Sequence, residues 1–198
     1  GHTGVNRITA VSQSRVDDGG HRNDSSTTGP LHPNPIRDSR SGDLTPGQRL
    51  LQLKALPDTT TLIIGDSVLR HVRGDRMNTY QGERVQVISV SGMKTCDLVD
   101  WCRHQQPSRQ VTLVTFHVGV NDCKTGEITA SAWEQLIEAC TTTFAGAHLQ
   151  ASTVLPTGNR RLNNTILTSN ANLCHVARRR GVTLVDNTEL FRAESGAP

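Results

Sequence analysis

The chain has 198 residues and a formal net charge of +3, a length typical of a single domain. No run of about 18 apolar residues occurs, which excludes an obvious membrane-spanning helix, and the first 20 residues lack the apolar segment of a signal peptide. The charge excess is too small and too dispersed for a dedicated nucleic-acid-binding protein.

The first 46 residues differ in composition from the rest of the chain. They contain five Arg, five Asp and no aromatic residue, whereas all six aromatic residues of the chain lie beyond residue 79. A segment of this kind cannot bury enough apolar surface to offset its loss of conformational entropy. We therefore predict a disordered leader or linker over residues 1–46 and a folded domain over residues 47–198.

The folded part shows a regular alternation of strand and helix patterns. A short helix is predicted over 48–56, where four leucines supply the apolar residues. Further helices are predicted over 68–77, 94–106, 130–146 and 161–181, and strands over 59–67, 85–92, 111–122, 147–157 and 182–187. Strands that alternate with helices in this way predict an α/β fold with a mainly parallel sheet of five strands.

The five cysteines do not form a recognisable site. Their number is odd, their spacing is wide and no CxxC motif occurs, so a zinc ribbon or a thioredoxin-type centre is disfavoured. Without a signal peptide, this pattern is typical of reduced thiols in an intracellular protein. Trp101 and Trp133 are interpreted as core packing residues, and Arg178–Arg180 as the positively charged end of a helix.

Polar residues follow three of the predicted strands at the point where each strand ends. The first strand ends in Gly65-Asp66-Ser67, the second in Ser91-Gly92, and the third contains Gly119-Val120-Asn121-Asp122 near its end. In a parallel sheet these ends lie along one edge, where α/β proteins bind ligands. A serine nucleophile needs such neighbours, because N–H donors must stabilise the oxyanion that forms when it attacks a carbonyl group. Each segment taken alone is also compatible with an ordinary turn or helix cap.

Three segments, taken together, resemble the signature blocks of a known enzyme family. IIGDSVLR (63–70), SVSGMKT (89–95) and HVGVND (117–122) resemble, in order and spacing, the first three blocks of the SGNH (GDSL-type) hydrolases. The resemblance extends from about residue 59 to the end of the chain. This family also occurs as domains within retroelement-encoded polypeptides, which is compatible with a low-complexity leader.

The resemblance implies a function and a set of site residues. Ser67 would be the nucleophile, with an oxyanion hole formed by the Ser67 N–H, the Gly92 N–H and the Asn121 side-chain amide, while Asp66 would orient the nucleophile turn. The implied fold is the flavodoxin-like three-layer α/β/α sandwich. The implied substrate is a small carboxylic ester, acyl or acetyl, with no metal and no cofactor.

One departure from the family pattern concerns the general base. The family takes its base from a late Asp-x-x-His block, and no such block follows Asp186 in this sequence. We interpret the domain as truncated before that block; the alternative is a catalytically inactive binding module that keeps the fold. His71, four residues after Ser67, and His117, in the third strand, are the two histidines near the motifs. We interpret His71 as a partly exposed helical side chain, and His117 as a residue that packs or forms a hydrogen bond beside the site.

Overall fold

The computed structural model describes residues 44–77, 83–106 and 109–188, which fall within one compact unit. The predicted leader up to residue 43 lies outside these ranges. Five strands and five helices are described, with two short 3-10 turns after the first strand. The strands are β1 (Thr61–Gly65), β2 (Val85–Ser89), β3 (Leu113–His117), β4 (His148–Ser152) and β5 (Thr183–Val185). The helices are α1 (Pro46–Leu51), α2 (Thr95–His104), α3 (Val120–Cys123), α4 (Ala130–Thr143) and α5 (Arg160–Arg180).

The five strands form one parallel sheet in the order β2-β1-β3-β4-β5. In its register, Gly65 at the end of β1 lies opposite Ser89 of β2 and His117 of β3. This arrangement confirms the predicted α/β fold. It also brings the three polar segments to the same edge of the sheet, because the carboxyl ends of parallel strands coincide.

The two tryptophans lie in the core, as predicted. Both are fully buried, and each indole N–H donates a hydrogen bond to a backbone carbonyl, Trp101 to Leu53 O at 2.8 Å and Trp133 to Ser169 O at 3.0 Å. A buried indole that lacked such a partner would cost free energy, so these contacts let the large rings pack without that penalty. Trp101 also packs against Phe144, with ring centroids 6.2 Å apart.

The predicted helix over 68–77 is wrong. The segment instead forms two 3-10 turns, Ser67–His71 and Gly74–Arg76. Gly74 explains the difference, because a Cβ atom at this position would lie 2.4 Å from the carbonyl oxygen of Val85. The backbone therefore runs against β2 at Gly74, which is incompatible with a continuous helix that projects away from the sheet.

One side chain of β2, Gln86, makes three hydrogen bonds to the segment between α1 and β1. Gln86 of β2 accepts hydrogen bonds from Leu56 N at 2.8 Å and Thr59 Oγ1 at 3.0 Å, and it donates one to Lys54 O at 3.1 Å. These bonds fix the segment in an extended path. The predicted helix over 48–56 is accordingly shorter and ends at Leu51.

The predicted end of the longest helix is confirmed. α5 ends at Gly181, whose φ of 68° is the left-handed conformation that favours glycine, and Arg178–Arg180 form its last turn. Arg179 pairs with Glu134 of α4 at 3.1 Å. Within the described ranges, no helix has both the length and the apolar character needed to cross a membrane.

All five cysteines are free thiols. Two of them meet in the core between α2 and α4, where the sulfur atoms of Cys102 and Cys140 lie 3.7 Å apart. The hydrogen bond to Cys102 and burial together raise the pKa of the Cys140 thiol well above its usual range.

Candidate functional site

The turn after β1 carries the predicted nucleophile. Gly65 is required there, because a Cβ atom would lie 2.2 Å from the backbone oxygen of His117 on the neighbouring strand. Asp66 caps the following 3-10 turn, with its Oδ1 accepting a hydrogen bond from Val68 N at 3.0 Å. Ser67, half-buried, is the first residue of this turn. Its hydroxyl makes no hydrogen bond within the part of the chain that the structure describes.

Asp66 itself is fully buried. Its second carboxyl oxygen, Oδ2, has no hydrogen-bond partner among the described residues. Burial raises the pKa of the Asp66 carboxyl, and this rise is opposed by the hydrogen bond from Val68 and by the charges of His117 and Lys124. The Asp66 side chain therefore stabilises the turn from the protein interior, while Ser67 is partly exposed to solvent.

The turn after β2 contains Gly92 in a conformation that favours glycine, with φ of 84°. A Cβ atom at Gly92 would lie 3.0 Å from Cγ of Pro46, the first residue of α1. Arg49, also in α1, donates a hydrogen bond from Nη2 to the carbonyl oxygen of Ser91 at 2.8 Å. Helix α1 thus supports the turn that carries Gly92.

The segment after β3 forms a short helix that the sequence analysis did not predict. Gly119 turns the chain out of β3 with φ of 132°, and a Cβ atom there would lie 2.6 Å from Val154. The prediction of a strand up to residue 122 is therefore wrong by five residues, since β3 ends at His117. Asn121 lies on α3, half-buried, and its Nδ2 donates a hydrogen bond to Met93 O at 3.1 Å.

Two hydrogen-bonded contacts join the second and third polar segments. One is the bond from Asn121 to Met93, the residue after Gly92. The other is made by Asp122, which accepts hydrogen bonds from the hydroxyl and the backbone N–H of Thr95 at 2.7 and 3.1 Å. Burial raises the pKa of the Asp122 carboxyl, and the bonds from Thr95 oppose this rise. Asp122 thus ties α3 to the start of α2.

Lys124 is a site residue that the sequence analysis missed. Its ammonium group donates a hydrogen bond to Asn121 Oδ1 at 2.9 Å. The signal in the sequence is the spacing, since residues three apart are neighbours on a helix surface. It went unrecognised because the sequence analysis assigned this segment to a strand.

Three N–H groups at this edge of the sheet have unused hydrogen-bonding capacity. The backbone N–H groups of Ser67 and Gly92 donate no hydrogen bond to any described residue. Asn121 uses one of its two amide hydrogens for Met93, and the other has no acceptor within the described ranges. Donors of this kind, at the same edge of the sheet as an unpaired hydroxyl, are what an acyl-transfer site needs to stabilise a developing oxyanion.

The two histidines near the motifs are engaged elsewhere. His117 is buried, and its Nδ1 forms a hydrogen bond with Ser152 Oγ at 2.9 Å. Burial lowers the pKa of His117, an effect that the charge of Asp66 opposes. His71 is exposed, and its Nε2 accepts a hydrogen bond from Arg70 at 2.9 Å. Neither imidazole is hydrogen-bonded to Ser67.

The same edge of the sheet continues past β4 and β5 with a different set of polar residues. Asn187 Nδ2 donates to Ser152 Oγ at 3.4 Å, and Thr153 Oγ1 donates to Asp186 Oδ1 at 3.2 Å. Asp186 Oδ1 also accepts from the hydroxyl of Thr188 at 2.6 Å. These side chains are hydrogen-bonded to one another rather than to a neighbour of Ser67. Nowhere in the described ranges do three or more His, Cys, Asp or Glu side chains gather in a way that could hold a metal ion.

Comparison with known sequences finds no matching family model and no matching curated protein. Comparison with solved structures finds 57 similar chains. One is an acetylxylan esterase from Geobacillus stearothermophilus, with a TM-score of 0.56, 16% identity, and coverage of 73% of this chain and 84% of the other.

Two more belong to bacterial lipolytic proteins. A member of the lipolytic G-D-S-L family from Veillonella parvula has a TM-score of 0.51 and 15% identity over 69% of this chain and 83% of that one. A lipase/acylhydrolase from Enterococcus faecalis has a TM-score of 0.51 and 16% identity, and the match covers 70% of this chain and 81% of the other. At these identities the likeness establishes a shared fold.

Proposed function

Starting from the SGNH-hydrolase fold that the chain shares with these proteins, we propose that it is a serine hydrolase that cleaves carboxylic esters. In this proposal Ser67 is the nucleophile, and the oxyanion is bound by the Ser67 N–H, the Gly92 N–H and the amide of Asn121. The observation that carries the proposal is that the Ser67 hydroxyl, the Ser67 and Gly92 N–H groups and one hydrogen of the Asn121 amide have no partner in the described part of the chain, at one edge of the sheet.

The reaction follows from this arrangement in two steps. Ser67 Oγ attacks the carbonyl carbon of the ester, and the electron pair of the carbonyl bond moves onto oxygen. The three N–H groups bind this oxygen more strongly as it gains charge, which lowers the barrier rather than only binding the substrate. Collapse expels the alcohol and leaves an acyl group on Ser67, and water then releases the acid.

A general base must take the proton from the Ser67 hydroxyl. In the described residues, His71 and His117 are bonded to Arg70 and Ser152 instead. The family resemblance assigns the base to an Asp-x-x-His block, which does not follow Asp186 in this sequence. We therefore expect slow acylation of this chain on its own, and faster turnover when imidazole is added as an external base.

The substrate class proposed is a small acyl or acetyl ester. The names of the similar proteins, an acetylxylan esterase and a lipase/acylhydrolase, support esters in general. Val68, directly after Ser67, has a 45% exposed side chain and provides an apolar surface beside the nucleophile. This surface suits a short acyl chain.

The decisive experiment measures hydrolysis of p-nitrophenyl acetate by the full chain with and without imidazole. Ser67→Ala is expected to remove the part of the rate that exceeds hydrolysis by imidazole alone, because imidazole acting as a base needs the Ser67 hydroxyl as the nucleophile. Ser131→Ala, which removes an exposed serine hydroxyl of α4, is the matched control and should leave the rate unchanged. Mass spectrometry of the intact protein should detect an acyl adduct that is absent from Ser67→Ala.

Two outcomes contradict the proposal. If Ser67→Ala hydrolyses the ester as fast as the unmodified chain, the nucleophile is assigned incorrectly. If the chain binds an ester analogue but shows neither turnover nor an adduct with imidazole present, it is a binding module on the same fold.

A further inference from the structure

We propose that Lys124 is a positioning residue of this site, which acts by fixing the side-chain amide of Asn121 in the orientation that presents an N–H to the oxyanion. The inference rests on the proposed function, because it assigns a role within the same reaction. It concerns a residue outside the three signature segments, and its support is the hydrogen-bonding geometry around Asn121.

The side-chain amide of an asparagine carries an accepting oxygen and a donating NH2 group, which exchange places when the amide rotates by half a turn. In Asn121, Nδ2 lies 3.1 Å from the carbonyl oxygen of Met93, and Oδ1 lies 2.9 Å from the ammonium of Lys124. Rotation of the amide by half a turn would place oxygen against oxygen at Met93 and donor against donor at Lys124. The two contacts therefore select one orientation.

The selected orientation leaves one hydrogen of Nδ2 for the substrate. The first hydrogen is used by Met93, and the second has no acceptor within the described ranges. The carbonyl oxygen of Met93 alone accepts one hydrogen bond from Nδ2, and a single neutral hydrogen bond restrains the rotation of the amide only weakly. The contact from Lys124 is charge-assisted, and bonds of this type are shorter and stronger than those between neutral groups.

The charge of Lys124 also reaches the turn that carries the nucleophile. It lowers the pKa of Asp66, the residue before Ser67, although burial remains the larger influence on that carboxyl and raises it. Asp122, the nearest acid in sequence, is engaged with Thr95. No ion pair in the described ranges involves Lys124. The contact with Asn121 is thus the hydrogen bond that its ammonium makes to the described residues.

The competing interpretation is that Lys124 is an exposed lysine whose hydrogen bond contributes nothing. Exposed charged pairs often contribute little, because the long side chain loses entropy when it is held in one place. The two interpretations differ in what removal of the ammonium does to catalysis. A surface lysine affects neither kcat nor the behaviour of Asn121, whereas a positioning residue affects kcat through Asn121.

The test compares Lys124→Met with Lys124→Arg, and uses Lys54→Met as a control at another exposed lysine. Hydrolysis of p-nitrophenyl acetate is measured with imidazole present. Lys124→Met is expected to lower kcat by about tenfold with KM unchanged, the rate equivalent of one modest charge-assisted hydrogen bond. Lys124→Arg should restore most of the rate, and Lys54→Met should have no effect.

A double-substitution cycle tests whether Lys124 acts through Asn121. In an Asn121→Ala background, Lys124→Met should have no further effect, because no amide remains to be oriented. Proton–nitrogen NMR of the Asn121 side chain gives a second measurement that does not depend on turnover. Lys124→Met should shift these resonances and speed exchange of the amide hydrogens with water.

The outcomes separate this inference from the proposed function. If Ser67→Ala abolishes hydrolysis while Lys124→Met has the kcat and the Asn121 resonances of the unmodified chain, the inference is overturned and the proposed function stands. If Lys124→Met lowers kcat equally with and without Asn121, Lys124 does not act by orienting the amide. If Ser67→Ala has no effect, both fail.

Discussion

The two halves of the carboxyl edge of the sheet contain similar polar residues but use them differently. After β1, β2 and β3, the Ser67 hydroxyl and the N–H groups of Ser67 and Gly92 have no partners among the described residues. After β4 and β5, Ser152 and Asn187 are hydrogen-bonded to each other or to neighbouring side chains. The edge is therefore divided into a half with an unpaired hydroxyl and unpaired backbone N–H groups, and a half whose hydroxyls are hydrogen-bonded.

The comparison shows that position at the edge of a parallel sheet does not by itself identify a functional residue. Asn121 and Asn187 both follow strands at this edge, and both carry the same amide. Each amide donates one hydrogen bond to a described residue, Asn121 to Met93 O and Asn187 to Ser152 Oγ, and the backbone N–H of Asn187 is bonded to Thr153 Oγ1. The unpaired Ser67 hydroxyl and the unpaired backbone N–H groups of Ser67 and Gly92 are what distinguishes the first half from the second.

The strongest test of this distinction substitutes the two asparagines in turn. Asn121→Ala is expected to lower imidazole-supported ester hydrolysis by about 10²–10³-fold, the usual effect of removing one oxyanion donor. Asn187→Ala should change the rate less than about twofold and cost at most about 1 kcal/mol of stability. Rates and urea unfolding midpoints of both variants provide the comparison. Equal loss of activity in the two variants would remove the functional division of the edge.

A second test uses two glycines with similar backbone angles, one at the edge and one remote from it. Gly92 has φ of 84° and Gly181 has φ of 68°. Alanine at either position should cost about 1–2 kcal/mol of stability, because a side chain is strained in this region. A Cβ atom at Gly92 would also press on Pro46 at 3.0 Å, whereas one at Gly181 meets nothing within 4 Å.

Activity should separate these two variants. Gly92→Ala is expected to lower the ester hydrolysis rate by about tenfold, because displacement of the turn weakens one oxyanion donor without removing it. Gly181→Ala should melt earlier but hydrolyse the ester at the original rate per folded molecule. If Gly181→Ala loses as much activity as Gly92→Ala, general destabilisation explains both and the Gly92 turn has no special role.

The smallest expected effect concerns the boundary between the two halves, where His117 bonds to Ser152. Burial lowers the pKa of His117 below its ordinary value of 6.5, so the unfolded chain binds a proton more readily than the folded one. The stability that this group contributes is present above pH 6.5 and is lost as the pH falls through its lower folded value. Asp66, whose pKa is raised, contributes in the opposite sense, most at low pH.

His117→Gln should therefore weaken the loss of stability between pH 7 and pH 5, since glutamine can keep the bond to Ser152 without titrating. Unfolding in urea at the two pH values measures this difference. His175→Gln, which changes an exposed histidine of α5, serves as the control and should retain the original pH dependence. An unchanged pH dependence in His117→Gln would show that His117 titrates normally in the folded protein.

Much of the fold could be predicted from the sequence because its signals are local and periodic. Apolar runs ending in glycine marked the strands, and α4 and α5 matched the predicted helices closely. The segment after β1 was predicted wrongly because Gly74 approaches Val85, a contact between residues on different elements. Sequence periodicity cannot report such an approach.

The site was only partly accessible to sequence reasoning for a related reason. Residues at strand ends could be named, but their hydrogen bonds depend on side-chain rotation across loops. Asp122 was named only as the last residue of a predicted strand, and its bond with Thr95, twenty-seven positions away, could not be inferred from the sequence. Lys124 was missed because its relation to Asn121 requires a short helix that four residues do not predict.

The two outer strands of the sheet have a consequence for self-association. An exposed strand edge can pair with another chain and start aggregation. β2, at one side, is approached by the backbone at Gly74 and bears Gln86, which holds the segment from Lys54 to Thr59. β5, at the other side, is three residues long. A second molecule therefore finds little continuous backbone to pair with among the described residues at either side, and substitution of Gln86 should loosen the segment from Lys54 to Thr59 that it holds.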